Sequence, residues 1–466
     1  MITRIEVDGF KTFNNFTMEF SPFTVVAGTN ASGKSNLFDS LKLLSNLAET
    51  DLKTAFNNIN LRGEAHEQFS QYSNGKFTDK MKFSIEMMLD TSITDNWGET
   101  ATLKYTRLRY EIEIKRKRNA KGFDDLFITH EVLKPIKHQE DKWVKKYISK
   151  NLIENWRPKV KKGKRGIPYI LTKQKDEKTV IRIPLDGKPG PGKISVASNI
   201  SQTLLSSINS VEFRHVFAAK QEMINWRFLQ LNPEELGKPS PRIASDIVTS
   251  SGGNLAAALY RLKNEDITIL VDISRELNNL LPNFVKVDVN EDLAENRFVI
   301  KLISEDGREF SSRVLSEGTL RLLILCILKY DPKYKGSLCF EEPENGIHPY
   351  RIKMMIELLK GLSTNLFDEG DTSFPLRQMI INTHSSVFVG NLFTPDNLPI
   401  NISVWFSKLV TNISVRDNKK LKFKSTKILP VRKGNNQMDF DFITPSEIEM
   451  TEYEVKKYLE TSDFGN

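Results

Sequence analysis

Apolar and polar residues alternate with a period of two at the start of the chain. Ile2-Thr3-Arg4-Ile5-Glu6-Val7 and Phe16-Thr17-Met18-Glu19-Phe20 predict an antiparallel strand pair joined through a turn at Gly9. Phe23-Thr24-Val25-Val26-Ala27 is a short, wholly apolar-faced run that ends in Gly28, the pattern of a buried strand. Residues 48–80 are polar and broken. Lys82 to Leu89 and Ala101 to Lys115 read as two strands of a hairpin, and residues 117–200 read as irregular, rich in lysine, proline and glycine.

Period 3.6 takes over further along. Asn254 to Lys263, after the Gly252-Gly253 break, and Asp266 to Leu281 predict amphipathic helices. Val285 to Asn290 and Arg297 to Ser304 predict strands, with a turn at Gly307. An apolar helical run opens at Leu315, and a short strand, Leu338 to Phe340, follows a Pro and Gly break. Ile352 to Leu362 is expected as a helix and Gln378 to Ile381 as a strand. Further strands and a terminal helix near Thr451 to Leu459 are expected in residues 400–466. The chain is therefore an α/β protein, and with no sustained heptad it carries no long coiled-coil arm.

Candidate chemistry sits where these elements end. Gly28-Thr29-Asn30-Ala31-Ser32-Gly33-Lys34-Ser35 fits GxxxxGK[ST] between a strand and a helix, expected from Asn36 to Leu47. In that setting backbone N–H groups turn inward on phosphates, Lys34 reaches the β- and γ-phosphates, and Ser35 offers its hydroxyl to magnesium. Glu341 and Glu342 close the Leu338 to Phe340 strand. Two carboxylates at the end of a buried strand are costly unless a metal or a reacting water uses them. His384 stands at the tip of the next strand, in Asn382-Thr383-His384-Ser385-Ser386, within the chemistry of a γ-phosphate or an attacking water. Asp439 and Asp441 form an acidic pair, read as a polar strand end in a segment too short for a nuclease domain.

Composition narrows the class. The chain has 466 residues, 39% apolar and 27% charged, as soluble globular proteins do. No run approaches the roughly 18 apolar residues of a membrane span, and the expected location is the cytoplasm. Cys326 and Cys339 both lie in apolar segments and read as buried free thiols. The net charge of +8 is uneven: residues 101–190 hold 25 Lys+Arg against 11 Asp+Glu, +14, leaving −6 for the rest. Lys161-Lys162-Gly163-Lys164-Arg165 is the most basic point, and Trp143, Trp156 and Tyr169 are scattered around it. Such a segment suits nucleic acid or an acidic protein, or is a solvated lid with its aromatics in a core.

With these motifs in order, the chain resembles the ABC-type ATPases of the SMC, RecF and OLD group. More closely it is similar to compact predicted ATPases carrying LSxGT (Leu315 to Thr319) and EEPENGIHP (Glu341 to Pro349), many from bacterial anti-phage systems. The resemblance implies a P-loop ATPase head with a mixed central sheet, an antiparallel β-subdomain and a basic insertion. It implies an N-terminal ATPase segment at 1–90, an insertion at 91–200, a C-terminal ATPase segment at 201–430 and a tail at 431–466. It implies ATP and Mg2+ as ligands, with Gly28, Asn30, Ser32, Gly33, Lys34, Ser35 and Asn36 in the Walker A loop. Ser316, Gly318 and Thr319 are the signature turn, pressing on ATP held by a second copy. Glu342 is the general base, Lys34 and His384 assist it, and Ser35, Glu341 and a glutamine, Gln68 or its neighbour Gln71, serve the metal. Asn345 to His348 takes the place of the loop that touches the partner subunit, and Lys11 approaches the nucleotide.

Ser35 and Leu315 stand 280 residues apart, too far for a transporter's compact nucleotide-binding domain, and the paired cysteines of zinc-hook repair ATPases are missing. Three functions remain. The first is a dimerising ATPase in anti-phage defence that contacts DNA through residues 101–190 and works with a separately encoded nuclease or effector. The second is an ATP-dependent scaffold that holds and releases an effector. The third, ranked last, is a stand-alone OLD-like nuclease.

Overall fold

The computed structural model describes the chain except residues 59–60, 121, 123, 160–166, 176–177, 185–192, 197–200, 370–374, 394–398, 417–418, 433–449, 452–454, 456 and 458–466. The first half runs β1 (Ile2–Asp8), β2 (Phe16–Glu19), β3 (Phe23–Gly28), α1 (Lys34–Glu49), α2 (Leu52–Phe56), β4 (Lys80–Met88), β5 (Ser92–Thr94), β6 (Thr100–Thr102), β7 (Arg107–Arg118), β8 (Asp124–Pro135), α3 (Lys142–Tyr147), α4 (Ile153–Trp156), β9 (Leu171–Lys175), β10 (Lys178–Ile183) and β11 (Lys193–Val196). There follow α5 (Arg214–Ile224), β12 (Arg227–Leu229), α6 (Pro233–Leu236), β13 (Ser240–Pro241), α7 (Leu255–Glu265), α8 (Ile267–Leu280), β14 (Phe284–Asp292), β15 (Arg297–Ser304), β16 (Glu309–Ser311) and α9 (Glu317–Tyr330). The last stretch holds β17 (Gly336–Glu341), α10 (Pro349–Lys360), β18 (Arg377–Thr383), α11 (Ser386–Leu392), β19 (Ile402–Arg416), β20 (Lys419–Arg432) and β21 (Met450–Thr451).

A seven-stranded sheet in the order β12-β17-β18-β3-β19-β20-β21 is the middle layer. Its strands from β12 to β19 are parallel, and β20 returns antiparallel to β19. Successive side chains on a strand face opposite sides, and the central strands use both. Phe23, Val25, Ala27, Leu338, Phe340, Met379 and Ile381 enter one core, shared with α7 to α10. Val26, Cys339 and Ile380 enter the other, shared with α1, α5 and a five-stranded antiparallel sheet, β2-β1-β4-β7-β8. The mixed central sheet and antiparallel β-subdomain expected from the resemblance are both present.

The ends of β3, β17 and β18 position the site. These neighbours are parallel, so the loops leaving their C-terminal ends emerge side by side, where open parallel sheets bind ligands. Those loops carry Lys34, Glu342 and His384.

The stretch expected to be irregular departs most from its reading. β8 is a twelve-residue strand paired with β7, so one sheet runs from β1 through β4 into β7 and β8 across residue 90. Lys82 to Leu89 does pair antiparallel with the β7 strand. The connection is a small β5–β6 hairpin, however, and β7 starts only at Arg107. Trp143, Trp156 and Tyr169 are core residues, 3%, 6% and 3% exposed, and the Trp143 indole donates to Phe20 O at 2.6 Å. Thr451 lies in a strand, while Val455 and Lys457, within the expected terminal helix, are helical. Lys161 to Arg165 and the pair Asp439 and Asp441 lie outside the described residues. Among the described residues no helix is long and apolar enough to cross a membrane.

Candidate nucleotide site

Backbone conformation builds the phosphate loop. Between β3 and α1, Ala31 and Gly33 take positive φ, 61° and 93°, so the chain alternates hand and its N–H groups form an anion-binding concavity. A Cβ on Gly33 would stand 1.9 Å from Thr426 Oγ1, so β20 packs too closely there for any other residue. The back of the loop is fixed as well. Ser32 O accepts from Ser407 Oγ at 3.0 Å and Thr426 Oγ1 at 3.2 Å, while Asn36 donates to Thr12 Oγ1 at 2.8 Å. Asn36 thus braces the loop from behind as well as lining the pocket.

A pocket of 200 Å3 is lined by residues 30–36 together with Arg62 and Glu342. Lys34 is 5% exposed and donates to Gly28 O at 2.5 Å and Thr29 O at 2.8 Å. Burial pushes its ammonium down to about 8, against the opposing pull of the Glu342 and Glu344 carboxylates. Glu342 has φ 49°, a left-handed conformation that costs a non-glycine residue roughly 1 kcal/mol or more and that proteins retain at functional sites. The turn takes its carboxylate off the strand axis and into this pocket. Asn345 donates to Glu342 Oε2 at 2.8 Å, and His384 Nδ1 lies 2.9 Å from Oε1. Glu341 points elsewhere, 3.8 Å from Lys42 Nζ on α1.

Sequence reasoning missed two members. Arg62 lines the pocket from the loop after α2, held by a double contact to Asp39, which is fully buried. Glu344 is 7% exposed, with one oxygen taken by the Thr383 hydroxyl and the other buried without a hydrogen-bond partner; burial raises its pKa. Its signal was the third carboxylate of Glu341-Glu342-Pro343-Glu344.

The two glutamines and Lys11 behave differently from expectation. Gln68 does not line the pocket. Its amide donates to the carbonyls of Arg62, Gly63 and Glu64 at 2.9, 3.2 and 3.3 Å, so it props the loop that presents Arg62. Gln71 lines a separate cavity. Lys11 is paired with Asp39 at 2.6 Å and caps Arg62 O at 2.8 Å.

Ser316 caps α9, accepting from Thr319 N at 3.2 Å and bonding Thr319 Oγ1 at 2.9 Å. A Cβ on Gly318 would meet Gly346 O at 2.6 Å, so the signature turn packs on the loop that follows Glu342 in the same chain. Ser316, Gly318 and Thr319 are not among the residues lining the pocket around Lys34.

The donor set suits a phosphate with a hard cation. Ser32 Oγ is a buried hydroxyl without a partner inside the loop, and Ser35 and Glu342 offer oxygen ligands in the pocket, whereas Glu341, expected at the metal, lies outside it beside Lys42. Fold and site together define a P-loop ATPase head. The chain belongs to the family described as "AAA domain, putative AbiEii toxin, Type IV TA system", whose model matches residues 23–390. No curated protein matches it. Among solved structures it is similar to an Smc head bound to the C-winged helix domain of ScpA, at 16% identity and TM-score 0.45, covering 92% of this chain and 98% of that one. It is similar also to Smc heads from Pyrococcus furiosus (12% identity, TM-score 0.41, 92% and 96% covered) and Pyrococcus yayanosii (10%, 0.42, 99% and 99%).

Proposed function

We propose that the chain hydrolyses ATP and that two copies close around it. The observation that carries this reading is the division of the motifs. Lys34, Glu342 and His384 converge on one pocket, while the signature turn of the same chain packs away from it against Gly346. A signature turn that does not serve its own pocket is free to serve another copy's.

Each side chain then has a task. The inward N–H groups of residues 30–35 hold the phosphates, and Lys34 spreads its charge over the transferring group. Glu342 accepts the proton of the attacking water at Oε1 or Oε2 as general base. His384 and Asn345 fix that carboxylate from two sides, and Glu344 secures the backbone beside His384 through Thr383. Ser35 is the pocket residue that would hold Mg2+, which would supply charge neutralisation on the phosphates. Ser316 and the N-terminus of α9 form an anion site for the γ-phosphate on the facing copy. Residues 345–347 link this turn to Glu342, so docking of a second copy and alignment of the base are coupled.

The family's description names a putative toxin of a type IV TA system, and our finer reading is a defence-system ATPase working with a separately encoded effector. DNA contact through residues 101–190 rests on the +14 of that segment. Arg109 and Lys146 there face acids from outside it, Glu6 and Glu19, while Arg107, Arg116, Lys134, Lys137, Arg157 and Lys159 face acids already counted in the +14, so most of the excess stands.

Glu342→Gln tests the proposal. The variant should bind ATP as the parent does, lose at least about a hundredfold in turnover, and elute as a dimer with ATP. Unchanged hydrolysis, or a monomer under those conditions, would refute it.

A further inference from the structure

A basic strand outside the lysine-rich insertion stands beside the phosphate loop: Lys422, Lys424 and Lys427 of β20 are exposed. β20 carries five lysines and an arginine and no acid. Where it leaves the Walker A loop it forms one wall of a cavity of 650 Å3, and the loop around residues 67–77 forms the other. The two walls are tied by Ser73 N donating to Lys422 O at 2.9 Å.

Along β20 the period of two places Thr426, Lys424 and Lys422 on one face and Phe423 on the other, and the cavity takes in all of residues 422–424. Thr426 touches the phosphate loop, and the two lysines carry that face outward as exposed cations. Neither has a carboxylate within 4.0 Å among the described residues. The cavity's aromatic residues complete the picture. Tyr72 and Phe423, both half-buried, meet edge-on at 6.3 Å, and half-buried Phe77 lies beneath the Arg116 guanidinium at 5.7 Å. Glu67 is the one acid in the lining, and its carboxylate is engaged by Glu64 N at 2.8 Å.

Partly exposed ring faces beside unpaired lysines are what a strand of unstacked bases requires: the rings stack with bases and the ammonium groups follow the phosphates. An acidic peptide would use the lysines but not the rings. A duplex would hide its bases from them. The volume lies within the roughly 300–1,000 Å3 of cavities that enclose small ligands. We infer that the cavity between β20 and the loop at 67–77 binds single-stranded nucleic acid, with Lys422 and Lys424 on its phosphates and Tyr72, Phe77 and Phe423 against its bases. This adds a ligand to the proposed ATPase and does not depend on it.

The test is fluorescence anisotropy of an end-labelled oligothymidylate with the full chain, without ATP, over a range of salt. The parent should bind. The double variant Lys422→Glu/Lys424→Glu should bind at least about tenfold more weakly and lower the slope of log affinity against log salt by about 1.4, roughly 0.7 for each phosphate that no longer meets a lysine. Phe423→Ala should weaken binding about tenfold with the slope unchanged. Both variants should keep the parent's KM for ATP. No binding by the parent would overturn the inference, as would binding lost only in Lys142→Glu/Lys145→Glu. A raised KM for ATP with unaltered oligonucleotide binding would also overturn it, assigning the cavity to the nucleotide instead. Failure on any of these counts leaves the reading of Lys34 and Glu342 untouched.

Discussion

Raising the pH from about 7 to about 9 should weaken ATP binding about tenfold, because the group proposed to meet the phosphates is a buried lysine. Burial holds Lys34 at about 8. Its protonated fraction then falls from about 0.9 at pH 7 to about 0.1 at pH 9, a ratio close to ten and worth about 1.3 kcal/mol. The triphosphate restores the proton, since opposite charge favours the ammonium form, so binding near pH 8 should take up about half a proton. Calorimetry in two buffers of different ionisation heat measures both quantities. Lys34→Arg, whose guanidinium stays charged, should give a flat profile. The same burial acts on stability. The unfolded chain binds more protons at this position between pH 8 and the ordinary lysine value of 10.5, so the Lys34 contribution should rise with pH over that window and be least favourable below it. An affinity constant within twofold from pH 7 to 9, with no proton uptake, would refute the assignment of Lys34 as a buried cation on the phosphates.

Two further outcomes separate structural from chemical roles. Gln68→Ala removes three hydrogen bonds to residues 62–64 and should cost roughly 1–2 kcal/mol in denaturant melts, while the magnesium dependence of turnover stays as in the parent. A shifted magnesium requirement without loss of stability would return Gln68 to the metal. Cys326 and Cys339 are fully buried, and burial lifts both thiols well above their ordinary range, so alkylation should be negligible until the chain unfolds. Rapid native labelling would contradict the burial of Cys326 and Cys339 in the cores on the two sides of the central sheet.

The site was legible where its chemistry is local. The phosphate loop needs glycines, a lysine and a hydroxyl at set spacing between a strand and a helix, and residues 28–35 give all of these contiguously. Glu342 could be read because a charged pair closing an apolar strand is costly anywhere else. Arg62 could not, since it stands in a polar stretch without periodicity and matters only because it shares Asp39 with Lys11 across the fold. Gln68 was assigned to the metal by analogy of position, whereas three carbonyls of its own loop claim its amide. β8 was hidden for a different reason. Its inward positions are interrupted by a bulge opposite Glu113 and Ile114, which breaks the alternation that reveals strands. The tryptophans of that region suit stacking platforms but read more readily as core, and the Trp143 bond to Phe20 O and its burial decide for the core. Counting residues could place +14 in the segment 101–190, but not the partners that β1 and β2 bring to it from outside, Glu6 against Arg109 and Glu19 against Lys146.

Mixing two inactive variants tests the shared site most directly. Lys34→Ala disables the phosphate loop and Ser316→Arg the signature turn, so each alone should hydrolyse no ATP. In a mixed dimer one site pairs the intact loop of the second variant with the intact turn of the first. Random pairing of equal amounts makes half the dimers mixed, each with one of two sites restored, so the mixture should recover about a quarter of the parent's turnover. No recovery on mixing, or a Ser316→Arg chain that hydrolyses ATP alone at the parent's rate, would contradict the proposal that this turn serves another copy's ATP.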